Sequence, residues 1–95
     1  MPEMHFAIRW PDGTRETCYS PSLVIKDHLA LGEAYPVADF LDRSRTALTI
    51  AGDRVRQKFG FDCPRAAGQI ARLEAACRHF IDQPGALVSV ESFQE

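Results

Sequence analysis

Apolar and polar residues alternate from the fourth position of the chain. Met4, Phe6, Ile8 and Trp10 fall on one side, and His5, Ala7 and Arg9 on the other. A period of two predicts a β-strand with one buried face. Pro11-Asp12-Gly13-Thr14 then supplies turn residues, proline pre-setting φ at the second position and glycine tolerating positive φ after it. Arg15 to Tyr19 resumes an extended pattern, in which Thr17, Cys18 and Tyr19 all suit a strand. Residues 4–19 therefore read as a β-hairpin, closed by Ser20-Pro21-Ser22.

The segment 23–35 follows neither period for long. Leu23-Val24-Ile25 would suit a short strand, whereas Val24, His28 and Leu31 share a helical face; Gly32 and Pro36 keep the segment short. It is read as a connector with about two helical turns. From Val37 the period changes: Val37, Phe40, Leu41, Ser44, Leu48, Ala51, Val55 and Phe59 recur at spacings of mostly three and four, one stripe along a helix over 37–59. Pro36, Asp39 and Asp42 suit its start, Arg54, Arg56 and Lys58 its end, and Gly60 its C-cap. Gly52 weakens the middle or admits another backbone at close range.

Asp62-Cys63-Pro64 opens a second helix, with proline near the first position. Ala67, Ile70, Leu73, Cys77, Phe80 and Ile81 form its apolar stripe, and Gln83-Pro84-Gly85 stops it. The short link from Gly60 to Cys63 makes the two helices antiparallel neighbours. Leu87 to Phe93 is a last strand, and because an isolated hairpin is marginal it is expected to join the hairpin. The predicted fold is α+β, a three-stranded antiparallel or mixed sheet (N-terminal hairpin plus C-terminal strand) covered by an antiparallel helix pair. Its element order is β-β-(short α)-α-α-β, in a single domain over 1–95. Phe40, Leu48, Val55, Ile70, Leu73 and Phe80 are its expected core.

Composition narrows the function more than it defines it. A length of 95 residues, 45% hydrophobic and 25% charged, fits one globular core and argues against disorder. A net charge of −2 speaks against a dedicated polyanion binder. Arg43, Arg45, Arg54, Arg56 and Lys58 crowd one helix, but with Asp39, Asp42 and Asp53 among them they read as a salt-bridged solvent face. Nucleic-acid binding is the least supported reading. The three cysteines form no C-x-x-C pair, the opening residues lack the basic and apolar regions of a signal peptide, and no apolar run is long enough for a membrane span. A cytoplasmic protein with reduced thiols, and no membrane association, is expected.

Candidate chemistry is sparse. His5, His28 and His79 lie on three elements and share no ligand spacing; Cys77 and His79, two apart on a helix, diverge. No metal and no cofactor is expected, since no phosphate-cradling glycine motif occurs either. Ser20 and Ser22 lack a nucleophile elbow. Cys63 sits at a helix N-terminus, which lowers a thiol pKa, whereas burial raises it; burial wins if Phe61 anchors that loop in the core, and Cys63 is then expected to be an unreactive structural residue.

Taken together, Arg9-Trp10-Pro11-Asp12-Gly13, Cys18-Tyr19-Ser20-Pro21-Ser22, Asp39-Phe40 with Arg43-Ser44-Arg45, Ala47-Leu48, Arg54-Val55 and Phe59-Gly60-Phe61-Asp62-Cys63 carry a resemblance. The chain resembles, over about 4–93, small bacterial proteins of the "nitrogen starvation response" family, encoded beside a nitrilase-like carbon–nitrogen hydrolase and a radical-SAM protein. The resemblance implies a bacterial, cytoplasmic accessory protein of a nitrile- or amide-related pathway. The leading reading is then a non-catalytic module that binds a protein of the same gene cluster, and the modest core of a domain this size leaves room for a homo-oligomer interface. Trp10 and Tyr19 lie on opposite limbs of one hairpin; they either close the core or, where that edge is exposed, form a rigid aromatic platform of the kind enriched in interface hot spots. Arg9, Trp10, Tyr19, Ser20 and Pro21 are therefore the candidate partner-binding residues. The alternative is a small enzyme or metabolite-binding subunit using Arg9, Tyr19, Ser20 or Cys63.

Overall fold

The alternating start forms β1 (Met4–Arg9) and, after the turn, β2 (Arg15–Ser20) in the computed structural model, which describes residues 3–95. The turn is fixed twice. The Trp10 amide donates to the Thr14 carbonyl at 2.8 Å, and the Thr14 hydroxyl and amide donate to Asp12 Oδ1 at 2.6 and 3.0 Å. Those bonds, the hydroxyl's foremost, hold the Asp12 carboxyl below its usual pKa. The chain continues through α1 (Ile25–His28), β3 (Ala34–Pro36), α2 (Val37–Phe59), α3 (Pro64–Arg78) and β4 (Leu87–Gln94).

The α+β class is as predicted, and the last strand does join the hairpin, but the sheet has four strands rather than three. Their order is β2-β1-β4-β3, and each neighbouring pair is antiparallel. The added strand, β3, comes from the connector read as helical. Three residues are too few to show a period; their extended form is imposed by β4, which places Ser89, Val88 and Leu87 opposite Ala34, Tyr35 and Pro36. Just before β3, Gly32 donates to Val90 and Val90 to Glu33, both at 2.9 Å. The helical part shrinks to the single turn of α1, which buries Ile25 against the core.

One face of the sheet is covered. Met4, Phe6, Ile8, Cys18, Val88 and Val90 meet Phe40, Ala47 and Leu48 of α2 and Leu73 and Cys77 of α3. Phe40, Leu48 and Leu73 are fully buried as expected, while Ile70 and Phe80 pack against the cluster partly exposed. Val55 is only half-buried, which corrects its placement in the core. The cause is length. A helix of 23 residues spans about 35 Å, whereas strands of 6 to 8 residues span roughly 20–27 Å. Beyond Ala51, therefore, α2 overhangs the sheet.

The two helix junctions follow the local rules. Gly60 caps α2 at φ 81°, its amide donating to Arg56 at 2.8 Å, a left-handed C-cap that an L side chain strains. Pro64 opens α3 at its first turn. α3 then stops at Arg78 instead of running on to Gln83. Its last bonds tighten into 3₁₀-type turns, His79 to Ala76 at 3.2 Å and Phe80 to Cys77 at 3.0 Å. That turn swings Phe80 flat onto Trp10, ring centroids 5.8 Å apart.

Candidate functional site

The hairpin's two flagged aromatics have opposite fates. Trp10 is 4% exposed, stacked on Phe80 and edge-on to Phe40 at 5.9 Å. Its indole N–H donates to Glu16 Oε1 at 3.0 Å, and the same carboxylate takes two bonds from Arg72, at 2.9 and 3.2 Å. Those bonds to Glu16, and then its charge, raise the already high pKa of Arg72. Trp10 thus closes the core near the turn. Tyr19 lies at the far end of the hairpin, opposite His5, half-buried. Trp10 and Tyr19 therefore do not share one exposed platform.

Ser20 and Pro21 are buried in the exit from β2. Ser20 Oγ donates to the Ser22 carbonyl at 2.6 Å, and Ser22 Oγ accepts from Arg54 at 3.1 Å. This network spends the Ser20 hydroxyl on a backbone turn, so Ser20 is no free nucleophile. It also ties the hairpin exit to the overhanging end of α2.

That tie builds a surface. Arg65, at the start of α3, lies over the Tyr19 ring at 3.7 Å, a cation–π contact, and reaches Glu3 at 3.4 Å. Desolvation first, then the Cys63 thiol nearby, raises the Tyr19 phenol pKa. The Tyr19 amide faces outward from an edge strand and is satisfied by Gln69 Oε1 at 2.9 Å. Next to this cluster, Tyr19, Pro21, Val55, Phe59, Phe61 and Cys63 line an open apolar cavity of about 240 Å³.

Phe59 is 53% exposed and Phe61 62% exposed, with ring centroids 6.0 Å apart across Gly60. Neither position is where the sequence placed it. Phe59 was to end the buried stripe and Phe61 to anchor the loop, but the sheet stops short of both. The expectation that Phe61 buries Cys63 is therefore corrected: Cys63 is half-buried, a free thiol that lines the apolar cavity and a second one beside Asp53, Arg56 and Asp62. The other two thiols differ. Burial pushes Cys18 up to about 12 and Cys77 up to about 11.

The remaining candidates are dispersed. Arg9 lies at the turn end of the sheet, bridged to Glu91 at 3.2 Å. The helix arginines are bonded within the molecule: Arg43 to Asp39, Arg45 to Glu74, Arg54 to Ser22, and Arg56 to Asp53 and Asp62. Among the described residues, no group of three or more His, Cys, Asp or Glu side chains could hold a metal ion. No helix among them is long and apolar enough to cross a membrane.

A family model described as nitrogen starvation-induced protein NitG matches residues 5–93. The chain belongs to the NitG family. No curated protein and no solved structure matches it. The match takes in both ends of the surface just described, from Tyr19 to Cys63, so the exposed Phe59 and Phe61 belong to the NitG domain itself. Sequence reasoning singled out Tyr19 and Pro21 but not these two phenylalanines. The available signal was the mismatch between a stripe of about six helical turns and strands of six residues.

Proposed function

We propose that this NitG-family chain serves the response to nitrogen starvation as a non-catalytic accessory module that binds a protein of its own gene cluster. That partner is the carbon–nitrogen hydrolase of a bacterial nitrile- or amide-related pathway. The observation that carries the reading is the pair Phe59 and Phe61. Two large aromatics more than half exposed, on a turn held rigid by a left-handed glycine cap, form a preorganised anchor. Tyr19 and Pro21 supply the adjoining apolar wall. Around them Glu3, Arg65, Arg56 and Asp62 form a charged rim, the polar border that surrounds interface cores. Of the residues first singled out, Tyr19 and Pro21 belong to this surface. Ser20 supports it from within through its bond to the Ser22 carbonyl, whereas Trp10 closes the core at the other end of the hairpin.

Mixing the purified chain with the purified hydrolase and following the mixture by size-exclusion chromatography and calorimetry tests the reading. A complex is expected, weakened by about 2 kcal/mol or more in Phe59→Ser/Phe61→Ser, the scale of a hot-spot loss. The same variant should melt like the parent, because neither ring is in the core. Absence of a complex with the hydrolase, or a complex indifferent to both substitutions, sinks it.

A further inference from the structure

The open face of the sheet holds a second arrangement, at the opposite end from the phenylalanines. Arg9 and Arg15 stand directly opposite each other in β1 and β2. Like charges so placed destabilise an antiparallel pair. Glu91 compensates both, its carboxylate 3.2 Å from Arg9 Nη2 and 3.0 Å from Arg15 Nε. It can do so because of a bulge: Ser92 pairs with Ala7 and Val90 with Ile8, leaving Glu91 as the extra residue of β4. Bulges re-aim side chains in this way, and they concentrate next to functional sites. Two guanidiniums and one carboxylate leave one unit of positive charge.

That charge borders a cavity of about 410 Å³ between the hairpin turn and the loop leading into β4. Arg9 and Ser89 lie opposite each other across β1 and β4 and both line it, while Pro11 and Leu87 supply apolar wall. Leu87 is among the large apolar side chains left exposed. One rim is the turn already rigidified by the Asp12–Thr14 bonds.

We propose that this cavity binds a small aliphatic monocarboxylate. The carboxylate sits between the Arg9 guanidinium, whose planar fork matches it, and the Ser89 hydroxyl. The short hydrocarbon part lies against Pro11 and Leu87. A monoanion is selected because the residual charge is single and a dianion would meet Glu91. The site is independent of the docking surface, so either can fail alone.

Amide-resolved NMR titration of the intact chain with sodium butyrate, and separately with inorganic phosphate at matched ionic strength, tests it. Saturable shifts are expected at 9–13 and 85–89, with a millimolar dissociation constant for butyrate and at least tenfold weaker phosphate binding. Arg9→Gln should weaken butyrate at least tenfold. Glu91→Gln removes the internal competitor and should tighten it several-fold, a gain that no unfolded variant could show. Shifts that never saturate, phosphate binding as tight as butyrate, or weakening on Glu91→Gln would overturn the proposal.

Discussion

Exchanging glycine for alanine inside α2 and at its C-cap should change stability in opposite directions, and the backbone alone decides the sign. Gly52 lies inside α2, in helical conformation. A Cβ built there meets only Ala66 Cβ, at 3.8 Å, an ordinary van der Waals contact with a side chain. No other backbone approaches closely, so the packing reason for a glycine is absent. Alanine at a helix interior is worth about 0.5–1 kcal/mol over glycine, because the unfolded chain loses conformational freedom. Gly52→Ala should therefore stabilise by that amount. Gly60, one residue past the helix, sits at φ 81° with open space around it. Alanine gains nothing there and costs about 1–2 kcal/mol for the left-handed conformation. For a domain of 95 residues, a change of 1 kcal/mol moves Tm by roughly 4–8 °C. Thermal and urea unfolding of the two variants, followed by circular dichroism, should place them on opposite sides of the parent. A destabilised Gly52→Ala would show that α2 and α3 pack more tightly at that point than the geometry allows. A neutral Gly60→Ala would show that the cap is not left-handed in solution.

Other perturbations test the sheet, the core and the thiols. Deleting 86–95 removes β4, which lies between β1 and β3, and should abolish cooperative unfolding; a truncated chain that still melts sharply refutes the topology. Leu48→Ala, at a fully buried position, should cost about 2–5 kcal/mol in urea denaturation. Ser44→Ala, four residues before it, should instead stabilise by up to about 1 kcal/mol. Ser44 Oγ is buried without a hydrogen-bond partner among the described residues, and losing an unsatisfied polar group is favourable. A loss of stability in Ser44→Ala would mean the hydroxyl is bonded after all. Iodoacetamide should label Cys63 first, since Cys18 and Cys77 have thiols raised to about 12 and about 11. Those raised values also set a pH dependence. The folded state keeps both thiols protonated where the unfolded state ionises, so their contribution to stability is complete below about pH 8.5. It falls as pH rises towards 12, and Cys18→Ala should flatten the decline; an unchanged profile would refute Cys18 as a source.

The sequence made legible those elements whose pattern is intrinsic to their own residues. The alternation from Met4 to Trp10, the Pro11-Asp12-Gly13 turn, the stripe of α2 and its Gly60 cap each carry their local reason with them. What escaped was set by partners. β3 is extended because β4 offers it an edge, and nothing in Ala34-Tyr35-Pro36 alone demands it. Phe59 continues the α2 stripe faithfully, but period tells only which way a side chain points. Whether anything lies in that direction depends on where the strands end. The same limit hid the Arg9–Glu91–Arg15 cluster, which exists only because a bulge shifts Glu91 out of register. Tyr19 and Pro21 were identifiable as a candidate site because the hairpin exit is local. The phenylalanines beside them depended on the overhang.

The sheet edges add a constraint on how a partner can dock. Proteins that recruit a peptide by strand addition offer a long edge with free amides and carbonyls. Here β2 is one edge, and it is occupied: the Tyr19 amide bonds to Gln69 of α3, and Arg72 of the same helix reaches Glu16 on that strand. The other edge, β3, has three residues and ends in Pro36, which has no amide to donate. Short, proline-ended or covered edges are the devices by which sheets avoid pairing with other chains. On the proposed reading, recognition of a protein partner would thus be left to side chains, and the largest apolar ones offered together on a rigid support are Phe59 and Phe61. A partner that protects the amides of β2 or β3 from hydrogen exchange, while leaving the Gly60 turn unprotected, would contradict this argument. Protection confined to the turn, with Tyr19 and Pro21 beside it, is the expected footprint.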